Sequence, residues 1–511
     1  MPHIILIAVV PVFLATFLFR FYRMWRDSKV LNHIPTQEFA HGDRSRARYI
    51  SELKDLLERG YRDHNKSGRA FKVPVPIGGY SVTHRVVLPK DHLEEMKHLS
   101  NNVFSWALAS AVIFAQDYTG APNRGAWSGK ALRVGIHQNL GSITLQLDNK
   151  INHYFAAHLP QDTNSPKSIK FMDFFVPAIA NITNSMLVGE ELAADPEWIR
   201  QTCDFAINRY ASADDVRAWP PALAYFISPF IPSVRRLRQS RAYVKQQLTP
   251  MYKELKRRGD LGIENKAQYR KGTYGFEWLW SGTPDDVTLD DFSDTMMRTL
   301  IASIHTTAKT ISIALIDLLS QPQYLSELRD EARQAARPDG SIDIDKLFAM
   351  DCFLKESQRL TPVFLMTMNR IVTQPYTFKV SGLHLPVGTM TTAATAAIAT
   401  DPDTFGTDSN IFDGRRFARL REGNDAAQSA FKMGMATEDS LGFGLGNQAC
   451  PGRFFAVNQI KLMLAKFLTR WDLTLEKNGV EYKAGRPTYQ YYDFSVVAPS
   501  EYGMELRWHQ V

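Results

Sequence analysis

A chain of 511 residues with 44% hydrophobic and 22% charged residues has the make-up of an ordinary globular protein, with enough apolar material for a large core. That excludes a disordered or fibrous chain, and three cysteines (Cys203, Cys352 and Cys450) exclude a disulfide framework and suit a reducing compartment. The formal net charge of +7 favours acidic partners or anionic membrane surfaces.

The first predicted element is an apolar run, Ile4 to Phe19, broken only by Pro11 and Thr16 and extended past Arg20 by Phe21 and Tyr22. A span of about 4–22 is long enough to cross a bilayer. Arg20, Arg23, Arg26 and Lys29 follow it, which places the C-terminal side in the cytosol. No basic segment precedes the run and no small-residue cleavage site follows it, which argues against a secretory signal. The expectation is an N-terminal membrane anchor over residues 1–28 and one catalytic body over residues 29–511. His33-Ile34-Pro35-Thr36 forms the hinge, since proline cannot continue a helix.

The body reads as mainly α with small sheets. Tyr80 to Val87 is a candidate strand. Thr288 to Gln321 is the longest predicted helix, N-capped by Thr288 with Asp290 and Asp291 in its first turn. Pro322 stops it and opens another helix, Gln323 to about Ala336. Asp351 to Leu360 is a third, ended by Thr361-Pro362. Tyr376 to Val380 and Leu473 to Glu476 are short strands. Gly452 to Trp471 carries apolar residues on most faces and predicts a buried helix.

Chemistry is densest at Phe443-Gly444-Leu445-Gly446-Asn447-Gln448-Ala449-Cys450-Pro451-Gly452-Arg453. Gly444, Gly446 and Gly452 let the backbone bring one sulfur up to a flat ligand. The helix that follows points its positive end at Cys450, which favours a thiolate, and Phe443 shields the sulfur from water. Gly444 to Ala449 also matches a dinucleotide fingerprint. The polar run Ala436 to Ser440 supplies no preceding strand, so that reading fails. Cys203 and Cys352 read as small buried residues.

Phe443 to Ala456 resembles the cysteine-loop signature of the cytochrome P-450 family. Glu356-Ser357-Gln358-Arg359 is similar to its Glu-x-x-Arg helix motif, and Phe412-Asp413-Gly414-Arg415-Arg416-Phe417 to the block before the cysteine loop. Ala302-Ser303-Ile304-His305-Thr306 sits where the family keeps an oxygen-activating groove in its long helix. With the anchor, the resemblance spans essentially the whole chain. It implies the cytochrome P-450 fold, with haem b held by Cys450 as the axial ligand of its iron. Thiolate ligation favours O–O cleavage. It also implies electrons from NADPH through a separate flavoprotein reductase, because no flavin or nicotinamide motif occurs in the chain.

Residue by residue, the resemblance implies a buried structural network of Glu356, Arg359 and Arg416 that supports the cysteine loop. It implies Arg370 and Arg133 as contacts to the haem propionates, and Thr306 as the alcohol that delivers protons. Two positions depart from the pattern. His305 replaces the usual acid and is a candidate proton relay, as in a fungal subgroup acting on terpenoid skeletons. Gln448 replaces a basic propionate contact with an uncharged donor. The substrate pocket is expected near Val103 to Ile113, Thr361 to Met368 and Tyr491 to Phe494, with Ile304, Phe364, Leu365 and Phe494 among its lining. The implied reaction is insertion of one oxygen atom from O2 into a lipophilic natural product, a terpenoid or meroterpenoid. The implied setting is the endoplasmic reticulum membrane, single-pass, with no nucleic-acid partner. Two other readings stay open: an isomerase, dehydratase or peroxygenase of the same fold that needs no NADPH, and a non-enzymatic haem-binding membrane protein.

Overall fold

Thr288 starts the longest helix as the sequence predicts. Its hydroxyl accepts the backbone N–H of Asp291 (3.1 Å), and the Asp291 carboxylate accepts the backbone N–H of Thr288 (3.3 Å). From there the helix runs Leu289–Leu319. The computed structural model describes residues 31–39, 46–74, 84–121, 125, 127–162, 166–263, 265–422 and 425–508. The predicted anchor and its boundary at residue 28 lie outside them. Among the described residues the protein is mainly helical with small sheets.

The chain divides into two compact units. The first takes Met1–Ala121, Asn208–Arg238 and Met366–Ile398. It holds a five-stranded sheet in the order Phe71–Pro74, His84–Val87, Met390–Ala393, Thr367–Val372, Phe104–Ser105. Its neighbours pair antiparallel except His84–Val87 with Met390–Ala393. Phe71, Val73, Val86 and Val87 are fully buried, so these strands read as apolar runs. The predicted strand Tyr80–Val87 is present as His84–Val87, and its residues 80–83 lie outside the described ones. Tyr376–Val380 shortens to Tyr376–Thr377. The Glu95 carboxylate takes the backbone N–H groups of Lys379 (3.0 and 3.1 Å) and Val380 (3.4 Å), which removes those donors from a ladder.

The second unit takes Pro122–Ile207, Gln239–Leu365 and Ala399–Val511. Its principal helices are Ser128–His158, Phe171–Val188, Leu289–Leu319, Phe348–Leu360 and Arg453–Arg470. Phe171–Val188 and Leu289–Leu319 are apolar enough to cross a membrane, yet most of each is buried in the body, as core helices are. Its four-stranded sheet has the order Val480–Glu481, Trp471–Lys477, Tyr502–Trp508, Lys167–Lys170. Trp471 starts a strand rather than ending the preceding helix, because it pairs with Trp508 and packs against Phe155 and Phe467.

Two helix starts differ from the sequence reading. The helix expected from Gln323 opens with a single 3-10 turn, Pro322–Tyr324, and becomes α over Leu325–Ala335. The helix expected from Asp351 starts three residues earlier, at Phe348. Glu331, on the helix before it, accepts the backbone N–H groups of Ala349 (2.6 Å) and Met350 (2.9 Å). A tertiary carboxylate thus does the work of an N-cap.

Candidate active site

The cysteine loop is a set of tight backbone turns. Gly444 N–H donates to the Leu441 carbonyl (2.8 Å), Ala449 N–H to Gly446 (3.1 Å) and Cys450 N–H to Phe443 (2.8 Å). Gly444 and Gly446 adopt φ of 73° and 66°, the left-handed region that only glycine enters freely. Gly452 differs from expectation. Its φ is −92° and an added Cβ would meet no atom within 4 Å, so the backbone does not require a glycine there. Gly452 instead caps the helix Arg453–Arg470, and its carbonyl accepts the N–H of Ala456 (2.9 Å). The helix begins three residues after Cys450, so its positive end faces the sulfur's side of the loop.

Cys450 is half-buried, as are Phe443 and Gln448 beside it. Two arginines flank it. Arg453 Nη1 donates to the Cys450 carbonyl (3.0 Å), and Arg133 Nη2, from the helix Ser128–His158, donates to the Asn447 carbonyl (2.7 Å). Burial holds the Arg453 guanidinium below its usual range, with Cys450 opposing that and Arg133 adding to it. Neither other cysteine lies in such a glycine loop, although Arg421 Nη1 donates to Cys352 Sγ (3.4 Å). Burial pushes Cys203 up to about 12 and Cys352 up to about 11, which leaves them inert thiols.

Glu356 is fully buried and is the centre of a dense network. Arg359 approaches it bidentately, Nε to Oε2 at 2.7 Å and Nη2 to Oε1 at 2.8 Å. Arg416 Nε reaches Oε1 at 3.3 Å, and the Asp413 backbone N–H donates to the same oxygen at 3.1 Å. Arg359 Nη1 donates onward to the carbonyls of Ala399 (2.8 Å) and Ser409 (2.6 Å). Arg416 binds the carbonyls of Phe405 (2.8 Å), Asp408 (3.0 Å) and Ile411 (3.2 Å) and both Asp408 carboxylate oxygens (3.1 and 3.0 Å). The i, i+3 spacing of Glu356 and Arg359 is legible in sequence; Asp408 and the carbonyls are not.

A second buried acid escaped the sequence reading. Asp317, on the long helix, pairs with Arg486, whose Nε lies 2.9 Å away, and accepts hydrogen bonds from Arg486 Nη2 (3.3 Å), Tyr489 Oη (2.8 Å) and Ser357 Oγ (2.7 Å). Arg486 Nη2 also donates to Thr361 Oγ1 (2.6 Å). Burial raises the Asp317 pKa, and Arg486 works against that rise. The signal was an acid inside the apolar run Ile313 to Leu319.

Mid-helix, the His305 Nε2–H donates to the Cys203 carbonyl (3.0 Å), since a carbonyl only accepts. Burial holds the His305 pKa below its usual value, so the ring is neutral at pH 7. Thr306 Oγ1 donates to the Ala302 carbonyl (2.6 Å) and Thr310 Oγ1 to the Thr306 carbonyl (2.8 Å). Ile304 is fully buried. Phe364, Leu365 and Phe494 come together: the two rings lie 5.7 Å apart and Leu365 N–H donates to the Phe494 carbonyl (2.7 Å). Phe364 also forms a β-bridge with Ser495. Arg370 belongs to the other unit, on the strand Thr367–Val372. It is buried, donates to the neighbouring Asn369 carbonyl (2.7 Å), and has no carboxylate partner among the described residues. Burial alone pushes it down to about 9.

A mainly helical body with a half-exposed cysteine in a glycine loop ahead of a long helix defines a haem-thiolate type of site. The donor chemistry fits that group: one half-buried sulfur in a loop bonded by Arg133 and Arg453. The sequence profile described as Cytochrome P450 matches residues 132–492. The chain is 29% identical to cytochrome P450 monooxygenase ccsG of Aspergillus clavatus, covering 94% of this chain and 93% of that protein. It is 28% identical to cytochrome P450 monooxygenase paxP of Penicillium paxilli (86% and 83% covered). It is 27% identical to ent-kaurene oxidase P450-4 of Gibberella fujikuroi (84% and 83%). The chain belongs to the cytochrome P450 family. It is a monooxygenase enzyme, and haem b is the cofactor of its family.

Proposed function

We propose that this monooxygenase acts on a lipophilic terpenoid or meroterpenoid, with Cys450 as the haem ligand and electrons from NADPH through a separate flavoprotein reductase. The observation that carries the site assignment is the cysteine loop, in which two left-handed glycines and two arginines surround a half-buried sulfur. The substrate class is supported by the apolar pair Phe364 and Phe494 and by relatives that include an ent-kaurene oxidase.

When bound, haem b supplies the chemistry that transfers one atom of O2 to an unactivated bond. Cys450 Sγ holds it, and the helix start at Arg453 and the guanidinium of Arg453 favour the thiolate. Arg133 would take a propionate, Gln448 would add an uncharged donor, and Phe443 would keep water from the sulfur. Glu356, Arg359 and Arg416 brace the segment that leads into the loop. Thr306 Oγ1 holds the proton to be delivered, resting on the Ala302 carbonyl until the hydroxyl turns away. His305 keeps its Nε2 proton on Cys203, which leaves Nδ1 to receive a proton from solvent. The apolar run before Arg20 anchors the chain in the endoplasmic reticulum membrane by a single pass, with the body in the cytosol.

The test is turnover under labelled dioxygen, with microsomes carrying the protein and a reductase, NADPH and a panel of terpenoid skeletons, read by mass spectrometry. One labelled oxygen in an NADPH-dependent product is the expected result. Product formed without NADPH or label would move the reaction to isomerisation or dehydration. A Cys450→Ser variant is expected to lose the thiolate-type ferrous–CO spectrum, and retention of that spectrum would overturn the ligand assignment.

A further inference from the structure

The long helix carries a cation for which the reaction so far has no use. Lys309 follows Thr306 by three residues and His305 by four, so all three share one helix face. Its Nζ donates to the Val496 carbonyl (2.7 Å) and to Ser495 Oγ (3.2 Å), beside Phe494. An ammonium has three N–H groups, and the third has no acceptor among the described residues. No carboxylate there lies within ion-pairing distance of Nζ. The nearest charge coupling is with His305, whose protonation Lys309 disfavours; Asp204 acts on His305 in the opposite sense and not on Lys309.

Several other cations of the same unit have their anion, although Lys355, whose Nζ donates to the Met435 carbonyl (2.8 Å), has no ion pair among the described residues either. Arg359 and Arg416 share Glu356 at 2.7 and 3.3 Å, Lys466 lies 2.8 Å from Asp148, Lys461 lies 3.5 Å from Asp351, and Arg486 lies 2.9 Å from Asp317. Lys309 has none, and burial alone pushes its pKa down to about 8. It still carries its charge at pH 7. An ammonium held at such a cost without an anion is suited to receive one.

We propose that Lys309 recognises a carboxylate on the substrate, which makes the substrate a lipophilic carboxylic acid with its skeleton against Phe364 and Phe494. This rests on the monooxygenase reading and deepens it, naming the head group that the apolar lining leaves undefined.

The experiment titrates the haem-loaded protein at pH 7 with two matched pairs, abietic acid against methyl abietate and palmitic acid against methyl palmitate, following the haem absorption band. A charge-assisted hydrogen bond makes the acid of at least one pair bind on the order of tenfold or more tightly than its ester. Lys309→Met removes most of that ratio and Lys309→Arg retains it; Lys309→Gln replaces the Met variant should that fail to load haem. Equal binding of acid and ester in both pairs overturns the proposal, as does a ratio that survives in Lys309→Met, and Lys309 is then only a clamp on the 494–496 segment. In either case ester binding and an intact thiolate-type ferrous–CO spectrum leave the monooxygenase reading standing.

Discussion

Glu356 is a fully buried charge and Lys309 a half-buried one, both in the second unit, and their surroundings are opposites. Glu356 has two guanidiniums and a backbone N–H, and its arginines reach carbonyls of five further residues. Lys309 has one carbonyl and one hydroxyl and no charge of opposite sign among the described residues. Complete satisfaction is what a structural brace needs, because each unmet group in a dry site costs free energy. Incomplete satisfaction is a loss for folding and an opportunity for binding. The contrast separates a network proposed to brace the cysteine loop from a cation proposed to meet the substrate.

The sharpest way to break the comparison is at its closed end. Glu356→Gln leaves Arg359 and Arg416 without their shared anion, a loss on the order of 3–5 kcal/mol. Apoprotein or aggregate is expected on purification, and full haem occupancy would show that the network is dispensable. At the open end, Thr306→Ala is expected to keep the fold and removes the hydroxyl proposed to deliver protons. Product formed per NADPH consumed should fall by about tenfold or more, while the ferrous–CO spectrum stays intact. Unchanged coupling would move proton delivery to another group.

Asp317 lies between the extremes, since it is fully buried and fully bonded yet sits on the same helix as Lys309. Asp317→Asn is expected to cost about 2 kcal/mol, read by denaturant unfolding of the haem-loaded protein. No loss would mean that Arg486 finds another partner. The smallest effect concerns His305. Its folded pKa is below its ordinary value of 6.5, through burial first. The contribution to stability is therefore fully present above pH 6.5 and is lost as pH falls through the lower folded value, because the unfolded ring takes up a proton that the folded ring refuses. Wild-type stability should fall more steeply than that of His305→Gln on acidification below pH 6.5, and parallel curves would count against a buried neutral ring.

Legibility followed locality. The start at Thr288 was readable because its cap lies within four residues, whereas the start at Phe348 was not, because Glu331 supplies the cap from another helix. Glu356 and Arg359 were readable as an i, i+3 pair. Arg416 entered only through the family resemblance, and Asp408, which completes its shell, carried no signal at all. Arg133 was a loose match by motif, and its bond to the Asn447 carbonyl puts it beside the cysteine loop.

By itself the sequence determined the mainly helical class, the family, the cysteine loop and the positions of its two left-handed glycines, because caps, periodicity and φ preferences act over a few residues. For charges far apart in the chain, the tertiary structure alone decided which are paired. Asp317 meets Arg486 across 169 positions, and Lys309 meets Val496 across 187. Charge compensation depends on distance in space, and no local pattern in the chain encodes it.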